Sequence, residues 1–452
     1  MRTRTTQLLF SILILASAGV LVAGLAAPDV ARLGKDLTPL GGEKAGNADG
    51  TIPAWDGGLT KPPAGYQPGQ HYVDPFAADA VVTTIDGKNV ATYAAKLSEG
   101  HKAMLAAYPS FKMKIYPTRR SAAVPQRIYD ATAKSAATAQ LAPGGNGVTG
   151  ALGGIPFPIP TEGVQVIWNH LLRYRGDAVL RKVAQAAPTR GGQYTLVQFN
   201  EETMLLYHLP GMTEEALKNR IAFFKQEVTA PARLAGGILL VHETLNQVTQ
   251  PRDAWLYNPG QRRVRRAPQV AYDNPGTAAD NMRTSDQLDI FNGAPDRYDW
   301  KLVGKKEIYV PYNAYRLQDP AVKYKDILTP LHMNPEYLRY ELHRVWVVDA
   351  TLKPGERHIY KRRTFYVDED SWHILLVDQY DNRDQLWRVS EGHTMNFYNV
   401  PCVWTSAESH VDLQAGRYLV MALFSENPAH DFGIKRTEAD FTPDALRQEG
   451  VR

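Results

Sequence analysis

Apolar positions recur with two different periods along this chain, and one long apolar run stands apart from both. The run covers residues 8–27, is uncharged and rich in Leu, Ile, Val and Ala, and follows Arg2 and Arg4. A cationic start, an apolar segment and a small-residue exit (Gly24-Leu25-Ala26-Ala27) are what export and signal cleavage need. Residues 1–27 are therefore expected to be a secretory signal cut near Ala26. An uncleaved anchor is the rival reading, because such a run can span a bilayer at about 1.5 Å per residue. No later stretch has 18 consecutive apolar residues, so no second membrane-spanning helix is expected.

Helical spacing follows in short pieces. Tyr93, Leu97, His101, Leu105 and Tyr108 predict a helix over 89–108, ended by Pro109. Val166, Ile167, His170 and Leu171 predict a short one over 163–173. Thr213-Glu214-Glu215 gives a cap and an acidic first turn for a third, over 213–228. From residue 234 the period becomes two. Strands are predicted over 237–244, 254–257, 262–266, 307–310, 338–352, 362–367, 372–380, 385–392 and 418–423. The second and third form a hairpin turning at Asn258-Pro259-Gly260. Sequential strands joined by short polar turns make an antiparallel meander. The fold class is thus α+β and β-rich: a curved antiparallel sheet covered by helices.

The first third of the chain is punctuated by Gly and Pro, as in Gly57-Gly58, Pro62-Pro63, Gly65 and Pro68, which favours extended chain over helix. It is expected to wrap the main body, pinned by aromatics such as Trp55. The division is a signal at 1–27, a turn-rich segment with short helices at 28–190, and the sheet with its helices at 191–452.

Charge and cysteine narrow the class. The formal charge of +4 falls by two when Arg2 and Arg4 leave with the signal, so a polyanion surface is not implied and nucleic acid is not an expected partner. The single Cys402 cannot close an internal disulfide, which suits an oxidising periplasm. It lies far from the leader, so a lipoprotein is not expected. Its simplest role is that of a small buried hydrophobe.

No chemistry-bearing motif survives its context. Gly145-Asn146-Gly147-Val148-Thr149-Gly150 fits a dinucleotide fingerprint by letter, but Ala142-Pro143 precedes it and a proline-rich loop follows, where strand and helix are needed. His242-Glu243 opens like a zinc motif, yet position 246 is Asn and the stretch reads as strand. The acids at Asp368-Glu369-Asp370 and at Asp378, Asp381 and Asp384 lack calcium-loop spacing and read as solvated hairpin turns. No catalytic residue, metal or cofactor is assigned, and the chain is not read as an enzyme. Aromatics carry more: they concentrate on the strands, where alternate positions of a curved sheet can line an apolar cavity. Trp255, Tyr257, Tyr309, Trp346, Phe365, Trp372 and Trp387 are the candidates. Arg262-Arg263-Val264-Arg265-Arg266 is the sharpest charge feature, with Arg263 and Arg265 on one face. These two, with Trp55 and Phe157, are the candidate partner contacts. A solvated strand edge guarded by arginine is the plainer reading of the block.

Long motifs then point to a family. The segment Leu37-Thr38-Pro39 through Asn47-Ala48-Asp49-Gly50-Thr51-Ile52-Pro53-Ala54-Trp55 resembles the opening of the DUF1329 proteins of the Gram-negative envelope. Tyr116-Pro117-Thr118-Arg119-Arg120-Ser121, Trp168-Asn169-His170-Leu171-Leu172-Arg173, Arg363-Thr364-Phe365-Tyr366-Val367-Asp368 and Asp378-Gln379-Tyr380-Asp381 carry the resemblance through the chain. It implies a LolA/LolB-like half-barrel, a periplasmic carrier of a hydrophobic molecule or lipid, and partnership with an RND-type transporter and an outer-membrane protein. A non-transporting adaptor in an export complex is the alternative. It implies no catalytic residues.

Overall fold

Short strands and long ones join a single sheet because the second of two meanders ends beside the strand that begins the first. The computed structural model describes residues 27–267, 270 and 272–450; the expected signal at 1–27 lies almost wholly outside them. Two small strands come first, β1 (Thr83–Ile85) and β2 (Met113–Ile115), then a separate two-stranded ladder of β3 (Gln140–Leu141) and β4 (Val148–Thr149). One meander follows: β5 (Ala178–Ala186), β6 (Val197–Met204), β7 (Arg220–Ala230), β8 (Ile238–Thr244), β9 (Asp253–Asn258) and β10 (Arg263–Arg266). The other is β11 (Tyr298–Pro311), β12 (Tyr340–Leu352), β13 (Arg362–Asp368), β14 (Ile374–Tyr380), β15 (Leu386–Asn396), β16 (Val403–Asp412) and β17 (Arg417–Leu423). Pairing of β17 with β5 fuses them into a 15-stranded sheet running β1-β2-β12 to β17, then β5 to β10, with β11 on β12. Pairing is antiparallel except at the Tyr340–Ile115 bridge. Register shifts in β11–β12, β13–β14, β14–β15, β15–β16 and β6–β7 each leave an extra residue on one strand, which bends and twists the sheet into its curve.

The helices are α1 (Ala27–Val30), α2 (Val90–Tyr93), α3 (Glu99–Ala107), α4 (Gln126–Thr138), α5 (Gly163–Leu171), α6 (Glu214–Leu217), α7 (Tyr324–Ile327) and α8 (Pro443–Gly450). α5 covers one face. Its Ile167 and Trp168 pack in a core with Val348, Phe365, Val367 and Ile374. α3 covers the other, its Met104 and Leu105 packing with Val345, Val347, Tyr366 and Leu376. Odd and even positions of β12 and β13 thus feed different cores, as the period of two requires.

Several expectations need correction. The helix expected over 89–108 is broken: a 3-10 turn at Ala94–Lys96 and extended Leu97 separate α2 from α3, which Ser98 caps by accepting from the His101 N–H at 3.0 Å. The helix expected over 213–228 is only the single turn of α6. Lys218 and Asn219 take positive φ, 48° and 63°, and Phe223 to Glu227 then pair on both sides within β7. Pairing with two strands outweighs a cap and one acidic turn. The acids at 368–370 are not solvated: Asp368, Glu369 and Asp370 are buried, because the wrapping segment lies over their turn. Arg120 donates to both oxygens of Asp370 at 2.8 and 2.7 Å, and the Glu43 N–H donates to Glu369 at 3.1 Å. Asp378 is buried as well, while Asp384 stays in an exposed turn. The expected boundary at 190/191 falls between β5 and β6, which pair over eight residues. Eight strands, β1 to β7 and β16, stand where none was expected.

Candidate functional site

Register decides what the β5–β9 end of the sheet presents to the connection over 267–293. One row across the strands is Val179, Thr203, Phe224, Val241 and Ala254. The next is Arg181, Glu201, Gln226, Leu239 and Leu256, and it grades from charged to apolar. Phe224, Val241 and Ala254 form a small apolar cluster, separate from the two main cores, with Leu239, Ala267, Val270 and Leu288 against it. These side chains do not close on one another. All but Ala254 line an outer chamber of about 330 Å³, with Gln226, Leu256 and Arg283. An inner chamber of about 60 Å³ lies between Leu171 and Leu172 at the end of α5, Leu205, Ile221 and Leu288, with Arg175, Arg181 and Trp404 around it. The two chambers share Phe224, Glu243, Arg252, Leu288 and Asn292 as walls. The outer volume is that of a small-molecule site, and the inner one holds a few waters or a compact polar group.

A polar clasp ties the connection to the sheet between the chambers. The Arg252 guanidinium donates to Glu243 at 2.7 Å, to the Asn292 carbonyl at 2.6 Å and to the Val270 carbonyl at 3.3 Å. Asn292 in turn donates to Glu243 at 2.9 Å. A buried ion pair holds only when its remaining hydrogen-bonding capacity is met, which this closed triangle does.

Behind the inner chamber lies a second network. Asp289 accepts from Arg173 at 2.6 Å, from Arg175, and from the Trp404 indole at 3.0 Å. Burial works to raise the Asp289 carboxyl, but Arg173 and Arg175 hold it well below the usual carboxylate range. Burial and the nearby Asp289 charge push the Glu408 carboxyl up to about 7. Burial lowers His373 to about 4 and His170 well below an ordinary imidazole. His170 Nδ1 accepts from the Ile374 N–H at 3.1 Å, so Nε2 carries the proton and donates to the Asp289 and Phe291 carbonyls, both at 3.0 Å. That contact pins the 288–293 wall to α5. Arg181 stacks on Trp404, its guanidinium 4.1 Å from the ring centre, and pairs with Glu201 at 2.5 Å.

Elsewhere, His343, Asp368 and Asp370 converge within 4.8 Å, a spacing that suits a metal. Arg120 already supplies the cation there. His242 and Glu243 sit on β8 with opposite directions, the first against Phe223 and Trp255, the second in the clasp. Cys402 is buried, and burial pushes its thiol up, away from reactivity.

The seven aromatic candidates are not brought together, and none lines either chamber. Trp255 is half-buried against His242, and the Tyr257 hydroxyl donates to the Gly450 carbonyl at 2.7 Å. Both occupy the face of β9 that α8 covers, while Ala254, in the small apolar cluster, and Leu256, which lines the outer chamber, lie one residue off. Tyr309 joins the α3-side core. Trp346 and Trp372 stack with ring centres 6.3 Å apart, and the Trp372 indole donates to the Leu40 carbonyl at 2.8 Å. Phe365 packs on Phe291 and Trp300, and the Trp387 indole donates to Asp412 at 2.9 Å. Both faces of β12–β16 are covered, so their aromatics fill two cores. Of the contact candidates, Arg263 and Arg265 are exposed and Trp55 is half-buried. Phe157 is buried, its backbone N–H and carbonyl both held by Asn169 at 3.0 and 2.7 Å, which withdraws it from any partner. The chamber residues missed were Ile221, Phe224, Leu239, Val241 and Leu288. Leu239-Leu240-Val241 lay in an expected strand whose alternation carried the signal, and reading 213–228 as helix hid Phe224.

A family model described as a protein of unknown function, DUF1329, matches residues 84–447. An uncharacterized protein of Pseudomonas aeruginosa is 51% identical over 454 residues, covering 99% of this chain and all of its own. Among solved structures, a DUF1329 family protein from Desulfovibrio piger aligns with a TM-score of 0.41 at 15% identity, over 60% of this chain and 92% of its own. A LolA superfamily protein from Nitrosomonas europaea aligns with a TM-score of 0.39 at 12% identity, over 63% of this chain and 100% of its own.

Proposed function

The chain belongs to the DUF1329 family, and from that premise we propose that it binds and carries a hydrophobic or amphipathic molecule, such as a lipid, in the periplasm. The reading extends to work beside an RND-type inner-membrane transporter and an outer-membrane protein. The observation that carries it is the pair of adjoining chambers, the outer one walled by an apolar cluster that belongs to neither main core. Apolar side chains left facing a void lose contacts that a ligand restores. Burying an acyl tail contributes about 0.8 kcal/mol per CH₂, so a ten-carbon tail gains roughly 8 kcal/mol before ordering costs. Such binding needs no reactive group, which accords with a non-enzymatic role. No helix among the described residues is long and apolar enough to cross a membrane.

The exposed arginines of the edge strand β10 favour a second reading, an adaptor in an export complex. Binding of neutral N-phenyl-1-naphthylamine, followed by its fluorescence, separates the two. A carrier binds the dye, and Leu239→Trp, which fills the outer chamber from β8, weakens binding about tenfold or more. Absence of dye binding, or an unchanged affinity in the Trp variant, overturns the carrier reading.

A further inference from the structure

Arg283 is a buried cation that lacks a counter-ion among the described residues. It is 4% exposed and lines the outer chamber. Its Nη1 donates to the Thr284 carbonyl at 3.0 Å, Nε has no partner, and no carboxylate among the described residues lies within 4.0 Å. Three acids act on it from farther away, Glu408, Glu201 and Asp286. Each has its own partners: Asp286 holds Arg363 and His358 at 2.8 and 3.1 Å, Glu201 holds Arg181, and Glu408 accepts from Ile290 and Thr405. The other arginines that line the chamber, Arg252 and Arg266, are paired with Glu243 and Asp253. A charge taken out of water without a partner is costly, and proteins keep one there when something else neutralises it.

We propose that the molecule carried in the chambers is an amphiphile with an anionic head, carboxylate or phosphate, and that Arg283 is the residue that holds that head. The inference rests on the carrier reading and adds the ligand's chemical class. The apolar wall of Phe224, Leu239, Val241 and Leu256 takes the tail, and the guanidinium that lines the same chamber takes the charge. Gly276 fixes where that guanidinium lies. Its N–H donates to the Arg283 carbonyl at 3.1 Å, and a Cβ on residue 276 would sit 2.6 Å from the guanidinium carbon. Glycine there leaves the cation its seat.

The test is calorimetric titration of the full chain with decanoate, decyl phosphate, decanol and inorganic phosphate. The expected result is that one or both anionic amphiphiles bind about tenfold or more tighter than decanol, as a charge-assisted hydrogen bond provides. Arg283→Met should remove that preference, bringing the anionic amphiphiles to the affinity of decanol for the same variant. Because Arg283 has no ion pair to break, Arg283→Met should melt no lower than the parent. Gly276→Ala, which displaces the guanidinium without deleting it, should also reduce the preference, and it serves if the methionine variant does not fold. Equal affinity for decanol and the anionic amphiphiles overturns the role of Arg283 while the carrier reading stands. Inorganic phosphate binding as tightly as decyl phosphate overturns the amphiphile in favour of a free anion. Failure of all four to bind overturns the carrier reading itself.

Discussion

Glu408 accepts two hydrogen bonds, from the Ile290 N–H at 3.2 Å and the Thr405 hydroxyl at 3.1 Å, and burial with the Asp289 charge raises its carboxyl to about 7. Its ordinary value is 4.5, so between these two the folded chain holds a proton that the unfolded chain releases. The contribution is fully present below pH 4.5 and is lost as pH rises through about 7. Glu408→Gln keeps the shape of the protonated acid and cannot ionise. At pH 8 its thermal midpoint should exceed the parent's by a few degrees, and at pH 5 the two should nearly coincide, measured as paired melts. A gap that is the same at both pH values would show that ionisation of Glu408 is not what the substitution changes. None of this was legible in the sequence. Trp404-Thr405-Ser406-Ala407-Glu408-Ser409-His410 is too polar to read as a strand with two covered faces, yet β16 is buried from end to end. Apart from the Thr405–Glu408 contact within the strand, its polar groups meet partners from elsewhere in the chain, Glu408 with Ile290 and Ser406 with the Ala314 and His393 carbonyls at 3.0 Å. Partners so distant along the chain leave no local pattern.

At the scale of elements, α5 positions the chambers. Its span was readable from apolar residues at helical spacing, and in the structure a capping box joins Glu162 and Gln165 at its start. Its role was not, because that comes from what its last turn touches. The Trp168 indole donates to the Gly145 carbonyl at 2.8 Å, and His170 donates to the carbonyls of Asp289 and Phe291 in the chamber wall. His170→Phe preserves a buried ring and deletes the donor, leaving the Phe291 carbonyl and the Ile374 N–H without a partner, while the Asp289 carbonyl keeps the Phe291 N–H at 2.8 Å. Each such orphan costs about 1–3 kcal/mol when it cannot reach water. The wall at 288–293 should loosen first, since the rest of α5 keeps its core contacts. Hydrogen exchange should rise in that segment ahead of the sheet, and affinity for the neutral dye should fall. Unchanged exchange at 288–293 would mean that the Arg252 clasp alone holds the wall. The β9–β10 hairpin shows the opposite case. Asn258-Pro259-Gly260 announced the turn, and the Asn258 side chain accepts from the Gln261 N–H at 3.0 Å. The turn fixed the pairing, but which face of β9 met a chamber depended on α8, some 190 residues away in the chain. One residue of parity separated Trp255 and Tyr257 from Ala254 and Leu256.

For the whole molecule, the open sheet leaves a problem at its β10 end. β10 pairs with β9 alone among the described residues, and Leu256 beside it is 44% exposed. A free edge next to apolar surface invites a further strand from another copy or another protein. The curvature that makes the chambers creates this edge, since a closed barrel would have none. Arg263 and Arg265 answer it by placing two cations on the edge. Their conspicuous clustering was the clearest charge signal in the sequence, while its placement at a sheet edge needed the order of fifteen strands. Two substitutions separate protection from recognition. Arg263→Val with Arg265→Val removes the repulsion between edges and should produce larger species by light scattering at concentrations where the parent shows none. Arg263→Glu with Arg265→Glu keeps a charged edge, so its mass should match the parent's. If the arginines also meet an acidic partner in an export complex, the glutamate pair should abolish co-purification with an RND-type transporter and leave dye binding intact. A valine pair that stays at the parent's mass would leave recognition as the role of these cations, and a glutamate pair that keeps its partner would leave protection of the edge.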